Sequence, residues 1–216
     1  MAAVSAWRGA RARVDYAVAT LLGRPRACVL DRLFAAYPDF YHMRDYGDER
    51  MDAIAEVIRR EVGDCASLGD VSVYEGYALG RVADRLGVAN LSGCDLSEVA
   101  LDRARGALSG SFAAFDLTRL YDDPAIGLPI PRPDVLLVCE CLYYVGPLAN
   151  HAWSQSWIFR SRKLGFIAAL RRHARKAVIF QHFGSRQKDA IGELVVAAGG
   201  RKVEDRWGIW LLPATA

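Results

Sequence analysis

This sequence has no apolar run long enough to cross a membrane, no long block of basic residues, and no cysteines at metal-ligand spacing. The first absence predicts a chain with no membrane partner. The second removes the electrostatic footprint of a nucleic-acid binder: 28 Lys and Arg against 25 Asp and Glu leave a net charge of only +3. The five cysteines, Cys28, Cys65, Cys94, Cys139 and Cys141, are odd in number. Cys94 and Cys139 lie in apolar contexts where a thiol acts as a small core residue, so a reducing compartment, the cytoplasm, is expected. Internal repeats and low-complexity tracts are absent too. What is present is ordinary for one globular domain over residues 1–216: 52% hydrophobic and 25% charged residues.

Positive charge is local. Arg8, Arg11, Arg13, Arg24 and Arg26 crowd the start, and Arg160, Arg162, Lys163, Arg171, Arg172, Arg175 and Lys176 crowd a later helical segment; such runs read as solvated faces. Residues 1–14 are rich in arginine and poor in acids like a transit peptide, but they lack the apolar core of an export signal and are expected to form an amphipathic helix. Residues 1–68 read as a helical cap, with Trp7, Val14, Ala17, Leu21 and Leu22 at helical spacing and Met51, Ile54, Ala55 and Ile58 likewise. Between these stretches, residues 37–47, with His42 and Tyr46 among them, break the pattern as either a lid or a loop packed on a sheet edge.

From residue 69 the chain alternates between strand-like and helix-like segments. Strands are expected at 71–75, 91–94, 111–115, 134–139 and 177–180, with helices from 81, over 97–108, up to about 175 and over 185–198, and a closing hairpin at 201–213 around Trp207 and Gly208. This alternation predicts a doubly wound α/β fold. In such a sheet ligands bind beyond the carboxyl ends of the strands. The first four strands each end in a group suited to a nucleoside: the small-residue turn Gly76-Tyr77-Ala78-Leu79-Gly80, then Asp95, Asp116 and Cys139-Glu140-Cys141. Glycines let the backbone approach a ligand closely, and a carboxylate 19 residues after Gly76 suits ribose hydroxyls. A dinucleotide fingerprint needs G-x-G-x-x-G, whereas the small residues here run G-x-A-x-G, which disfavours a nicotinamide cofactor.

Taken in order, these residues resemble the class I S-adenosylmethionine-dependent methyltransferases. The likeness covers about residues 71–145 through the turn, Gly93-Cys94-Asp95-Leu96-Ser97, Phe115-Asp116-Leu117 and the run 133–140, and extends more loosely to the C-terminus. It implies a Rossmann-like, mostly parallel seven-stranded sheet with a C-terminal antiparallel hairpin and an N-terminal helical cap. It implies S-adenosylmethionine as cofactor, held by Tyr74, Glu75, Gly76, Tyr77, Ala78, Gly80, Asp95, Leu96, Phe115, Asp116, Leu117 and Cys139. The family's acid, two residues before the first glycine, is replaced here by Tyr74 with Glu75 one step later, so the cofactor grip is modified or weakened.

The resemblance directs a small-molecule acceptor to the residues after strands four and five. Glu140 and His182 are the preferred base and orienter for an aliphatic hydroxyl, or Glu140 is half of a hard-metal site, magnesium in character, with Asp116 nearby. His42 and His151 are the rival bases. Tyr143, Tyr144, Trp153 and Tyr46 are expected at the acceptor, and the aromatic, amide and carboxylate mixture tilts toward a sugar or similar hydroxylated metabolite. An amine acceptor needs no base, and a catalytically silent binding subunit is the third reading. A homodimer is compatible with all three.

Overall fold

The computed structural model describes residues 10–18, 27–40, 47–142, 145, 157–182 and 187–215. Helices α1 (10–18), α2 (Ala27–Ala36) and α3 (Gly47–Glu61) precede β1 (Ser67–Asp70). Then come α4 (Tyr77–Leu86), β2 (Asn90–Asp95), α5 (Glu98–Ala107), β3 (Gly110–Ala114), α6 (Leu117–Asp122), β4 (Val135–Cys139), α7 (Trp157–His173), β5 (Ala177–Gln181), α8 (Gln187–Ala197), β6 (Arg201–Glu204) and β7 (Ile209–Pro213). The strands form one seven-stranded sheet in the order β3-β2-β1-β4-β5-β7-β6. Only β7 runs against its neighbours, pairing antiparallel with β5 and β6. The expected fold class is therefore the observed one.

Burial follows the topology. In β4 every residue is buried, and alternate side chains serve opposite layers. Leu136 and Val138 join Phe166, Ile167, Phe180 and Trp210 on the α7 and α8 side, whereas Val135, Leu137 and Cys139 join Met51, Ile54, Ile58, Leu79 and Val82 on the α3 and α4 side. A third, smaller cluster gathers Ala12, Leu30, Leu33 and Phe34 of the first two helices with Tyr74 and Ala100. The cap is thus packed onto the ends of the sheet through Tyr74. The chain leaves β1 toward β2 and β3 and returns to the other side of β1 at β4, which makes the β1/β4 crevice the topological switch point.

The structure corrects the first strand. Residues 71–75 were expected to be β1, but the strand is Ser67–Asp70, and residues 71–76 form the turn that follows it. In a strand Val71 and Val73, two residues apart, would share a face, but here their side chains enter opposite core layers, and only scattered bonds hold their backbone: Val71 N donates to Leu137 O and Val73 N to Cys94 O. Ser67-Leu68-Gly69-Asp70 has weak strand propensity but is paired on both sides, with Leu68 opposite Leu91 and Val135; central pairing overrides propensity. Gly69 is required there, because an added Cβ would lie 2.8 Å from Pro133. The next helix correspondingly begins at Tyr77 rather than Arg81, so Gly80 lies inside α4, where a Cβ would meet Leu108 at 2.8 Å. Its role is close helix packing. Within the basic run, Lys163 departs from the solvated-face expectation and is fully buried.

Candidate functional site

The switch-point crevice opens on residues 70–76. Asp70 ends β1, is 1% exposed, and accepts the Ser72 amide on Oδ1 at 2.9 Å. Burial pushes its pKa up to about 7, against the Ser72 hydrogen bond and with help from nearby Asp95. Ser72 Oγ donates to the Cys139 carbonyl at 3.1 Å, which ties the turn after β1 to the end of β4. Gly76, at φ 84°, caps α4; a Cβ there would be 2.9 Å from Leu108, so conformation and space both call for glycine.

Asp95 ends β2 and faces the same turn. Its Oδ2 accepts the Tyr74 amide and its Oδ1 the Ser97 amide, each at 2.9 Å. Burial raises its pKa to about 6 against those two bonds. A carboxylate offers about four lone-pair sites, so two amides orient Asp95 and leave it acceptor capacity toward the crevice. Ser97 caps α5, its Oγ accepting the Ala100 amide and donating to Asp31 of α2 at 2.6 Å.

Tyr74 and Glu75 turn toward the cap. Tyr74 sits at φ 49°, a left-handed conformation uncommon for an aromatic residue. Its ring meets Phe34 edge-on at 4.8 Å between centroids, and its hydroxyl accepts the Phe40 amide at 2.8 Å. Glu75 is ion-paired with Arg103 and accepts the Asp39 amide at 3.2 Å. The acid that ends the first strand is Asp70, two residues before Ser72, and Ser72 and Tyr74 lie in the turn that follows. Tyr77 donates its hydroxyl to Asp48, and Ala78 is buried against the α3 side of the sheet.

On the far side of Asp95, Phe115 is buried with Arg119 over its ring at 5.7 Å, and Leu96 and Leu117 are half-buried beside the cap and core clusters. Asp116 caps α6: its Oδ1 accepts the Thr118 amide at 2.8 Å and the Thr118 hydroxyl at 2.7 Å. Among the described residues no group of three or more His, Cys, Asp and Glu side chains is arranged to hold a metal ion, so the pairing of Glu140 with Asp116 around magnesium gains no support.

The ends of β4 and β5 carry the second half of the site. Cys139 lies opposite Gln181, which sets Glu140 and His182 one step beyond the paired ends. Glu140 is at φ 50°, donates its amide to Gln181 O at 2.9 Å, and accepts Gln181 Nε2 on Oε1 at 3.2 Å. The same Oε1 is 3.9 Å from Nη1 of Arg50. His182 is 1% exposed; its amide donates to Gly208 O at 3.1 Å, and burial pushes the imidazole down to about 3, so it is neutral at physiological pH. Glu140 is thus bonded to Gln181 and lies beside Arg50, and Cys139 is a buried thiol whose pKa burial raises.

His42, Tyr46, Tyr143, Tyr144, His151 and Trp153 lie outside the described residues. The sequence reading missed Asp70, Ser72 and Arg50. Arg50 had a readable signal: it shares the stripe 50, 54, 58 with two buried isoleucines, and an arginine on an apolar helix face needs an anionic partner.

No protein-family model matches the chain, and no curated protein matches it in sequence. Solved structures do match its fold. The amino pentose methyltransferase CalS10 of Micromonospora echinaspora, a calicheamicin biosynthesis protein solved with S-adenosylmethionine, aligns at TM-score 0.56 and 15% identity over 81% of this chain and 94% of its own. The sugar N-methyltransferase KedS8 of Streptoalloteichus sp aligns at 0.55 and 12% over 82% and 92%. Magnesium protoporphyrin IX methyltransferase of Synechocystis, also solved with S-adenosylmethionine, aligns at 0.54 and 14% over 88% and 97%. The fold is that of the class I S-adenosylmethionine-dependent methyltransferases.

Proposed function

We propose that this chain is an S-adenosylmethionine-dependent methyltransferase that acts on a small polar acceptor. The observation that carries the reading is the pair of carboxylates, buried Asp70 and half-buried Asp95, that flank the turn 70–76 at the switch point of this sheet. In this reading Asp95 receives the ribose hydroxyls, Phe115 lies beside the adenine, and the turn 70–76 faces the methionine portion. S-adenosylmethionine, when bound, supplies a methyl group on a sulfonium, and what the chain must add is chiefly position, which can account for ~7 to 11 kcal/mol of a barrier.

Nitrogen is the acceptor atom this geometry favours. An aliphatic hydroxyl needs a general base whose pKa lies near the working pH. His182, pushed down to about 3, is a poor base there, and Glu140 is engaged by a guanidinium and an amide. An amine that has lost its proton needs no such help. Likeness in fold to an amino pentose methyltransferase and a sugar N-methyltransferase supports an amino sugar as acceptor class. O-methylation of a sugar is the second reading, with Glu140, His42 or His151 as base.

The test is transfer of labelled methyl from S-adenosylmethionine to a matched panel of amino sugars and their hydroxyl counterparts, free and nucleotide-linked. Label on the amino compounds alone supports nitrogen transfer. Label on the hydroxyl compounds alone establishes the second reading, and label on neither, at enzyme-stoichiometric concentrations, contradicts a sugar acceptor.

A further inference from the structure

We propose that two copies of this chain associate edge to edge through β3, the two strands running antiparallel about a two-fold axis at Phe112, so that the sheet continues from one copy into the other. The pairing does not depend on the methyltransferase reading.

The sheet has two edges, β3 and β6, and they are built differently. An edge strand offers backbone groups to any other strand, and folds blunt it with charge, proline, bulges or cover. In β6, Arg201, Lys202 and Glu204 are charged, the register against β7 shifts between Lys202 and Glu204, and Arg60 of α3 donates to the Val203 carbonyl at 3.1 Å. That edge is protected. β3, Gly110-Ser111-Phe112-Ala113-Ala114, carries no charge and no proline, and it keeps an unbroken register with β2 over its whole length. Gly110, Ser111 and Ala114 are exposed.

The register fixes which groups face outward. Phe115 N donates to Asp95 O at 2.8 Å, and a parallel ladder turns the N–H and C=O of alternate residues to the same side. Ser111, Ala113 and Phe115 therefore face β2, whereas Gly110, Phe112 and Ala114 turn their amides and carbonyls to the open side. The Phe112 carbonyl agrees, since it accepts Nη2 of Arg105 from α5 at 3.2 Å. In the antiparallel pairing Phe112 faces Phe112 and Gly110 faces Ala114, all at hydrogen-bonded positions of the new ladder. Arg105 can give way to it: Nη1 is held by Asp102 at 2.8 Å and Glu98 at 3.1 Å on its own helix, so release of the Phe112 carbonyl leaves the guanidinium paired.

The occupant is a second copy because the surroundings of β3 match themselves. α5 packs over β2 and β3, so strands ~4.8 Å apart set this helix ~10 Å from its counterpart, a helix-packing distance. Glu98, Asp102 and Arg105 share the side of α5 that reaches β3. A two-fold axis brings Arg105 of each copy beside the acids of the other, which makes the charged stripe self-complementary. To the opposite face β3 contributes only Ser111 and Ala113, too small to hold the edges apart.

Sedimentation equilibrium and amide hydrogen exchange on the full chain, each over a concentration series, test the pairing. The wild type should pass from monomer to dimer. The amides of Gly110, Phe112 and Ala114 should gain protection with concentration, while that of Ala113, already in the β2 ladder, should not change. Ala114→Pro removes an outward amide and spares the β2 ladder, and Ser111→Lys puts a charge on the edge. Each substitution acts twice in a two-fold dimer, so each should raise the dissociation constant by at least ~10-fold. Lys202→Ser, on the other edge, should leave it unchanged. Circular dichroism identifies a variant that has not folded, and the wild-type exchange pattern decides without any variant. A wild type that is monomeric at every concentration, a dimer in which Gly110, Phe112 and Ala114 stay unprotected, or a dimer that both folded variants keep, would overturn the proposal.

Discussion

Tyr74 donates its backbone amide to Asp95 at 2.9 Å while it sits at φ 49°. One residue thereby joins the carboxylate assigned to the ribose and, through its ring on Phe34 and its hydroxyl on the Phe40 amide, the helical cap. Glycine would adopt this backbone without strain, whereas tyrosine keeps it because both ends of its side chain are held. Three further links, the Arg103 guanidinium on the Phe34 carbonyl at 2.9 Å, the Asp39 amide on Glu75, and Asp31 on Ser97, fasten the cap to the same corner.

Removal of the ribose ligand should be felt in cofactor binding first. Asp95→Ala is expected to weaken S-adenosylhomocysteine by ~1.5 to 3 kcal/mol in calorimetry, the range for hydrogen bonds to a charged group. Unaltered affinity in a folded variant would place the ribose elsewhere.

Tyr74→Phe deletes the acceptor for the Phe40 amide. It should lower stability in urea unfolding by ~1 to 2 kcal/mol and speed protease cleavage within the cap. A cap that is cleaved no faster in this variant would show that the Tyr74 hydroxyl does not hold it.

Stability of the ligand-free chain should fall as pH rises. Asp70 and Asp95 have folded pKa values raised by burial to about 7 and about 6, from an ordinary 3.8. The neutral acid is thus the favoured folded form. Its contribution is complete below the ordinary value and is lost as pH climbs through 6 and 7. Asp70→Asn should gain on the wild type, by on the order of 2 kcal/mol between pH 5 and pH 8, in parallel unfolding curves. A difference that does not change with pH would mean that Asp70 is ionised in the fold throughout.

Kinetics test Glu140 as the base of the second reading. In that role Glu140→Gln lowers kcat by ~10²-fold with KM little changed, and a kcat that stays within about threefold rules that role out.

The sheet was legible because its signals are strong and redundant. Strands β4 and β5 are apolar runs, and Ser97 and Gly87 mark helix ends as their chemistry predicts. The first strand was misread since Ser67-Leu68-Gly69-Asp70 owes its conformation to neighbours on both sides, a relationship with no local trace, while Val71 and Val73 have a strand-like pattern in sequence but enter opposite core layers. With the strand placed at 71–75, Asp70 was not read as a strand end, whereas Glu75, which is in the turn, accepts the Asp39 amide of the cap. Arg50 escaped for a related reason: its meaning depends on Glu140, 90 positions away, which only the folded chain brings to it.

A crystal structure of the chain with S-adenosylhomocysteine would decide whether the switch-point crevice is the cofactor site. The ribose should lie on Asp95, the adenine beside Phe115, and the amino acid end over residues 70–76. Ligand density anywhere else, or an empty crevice at saturating ligand, would contradict the assignment.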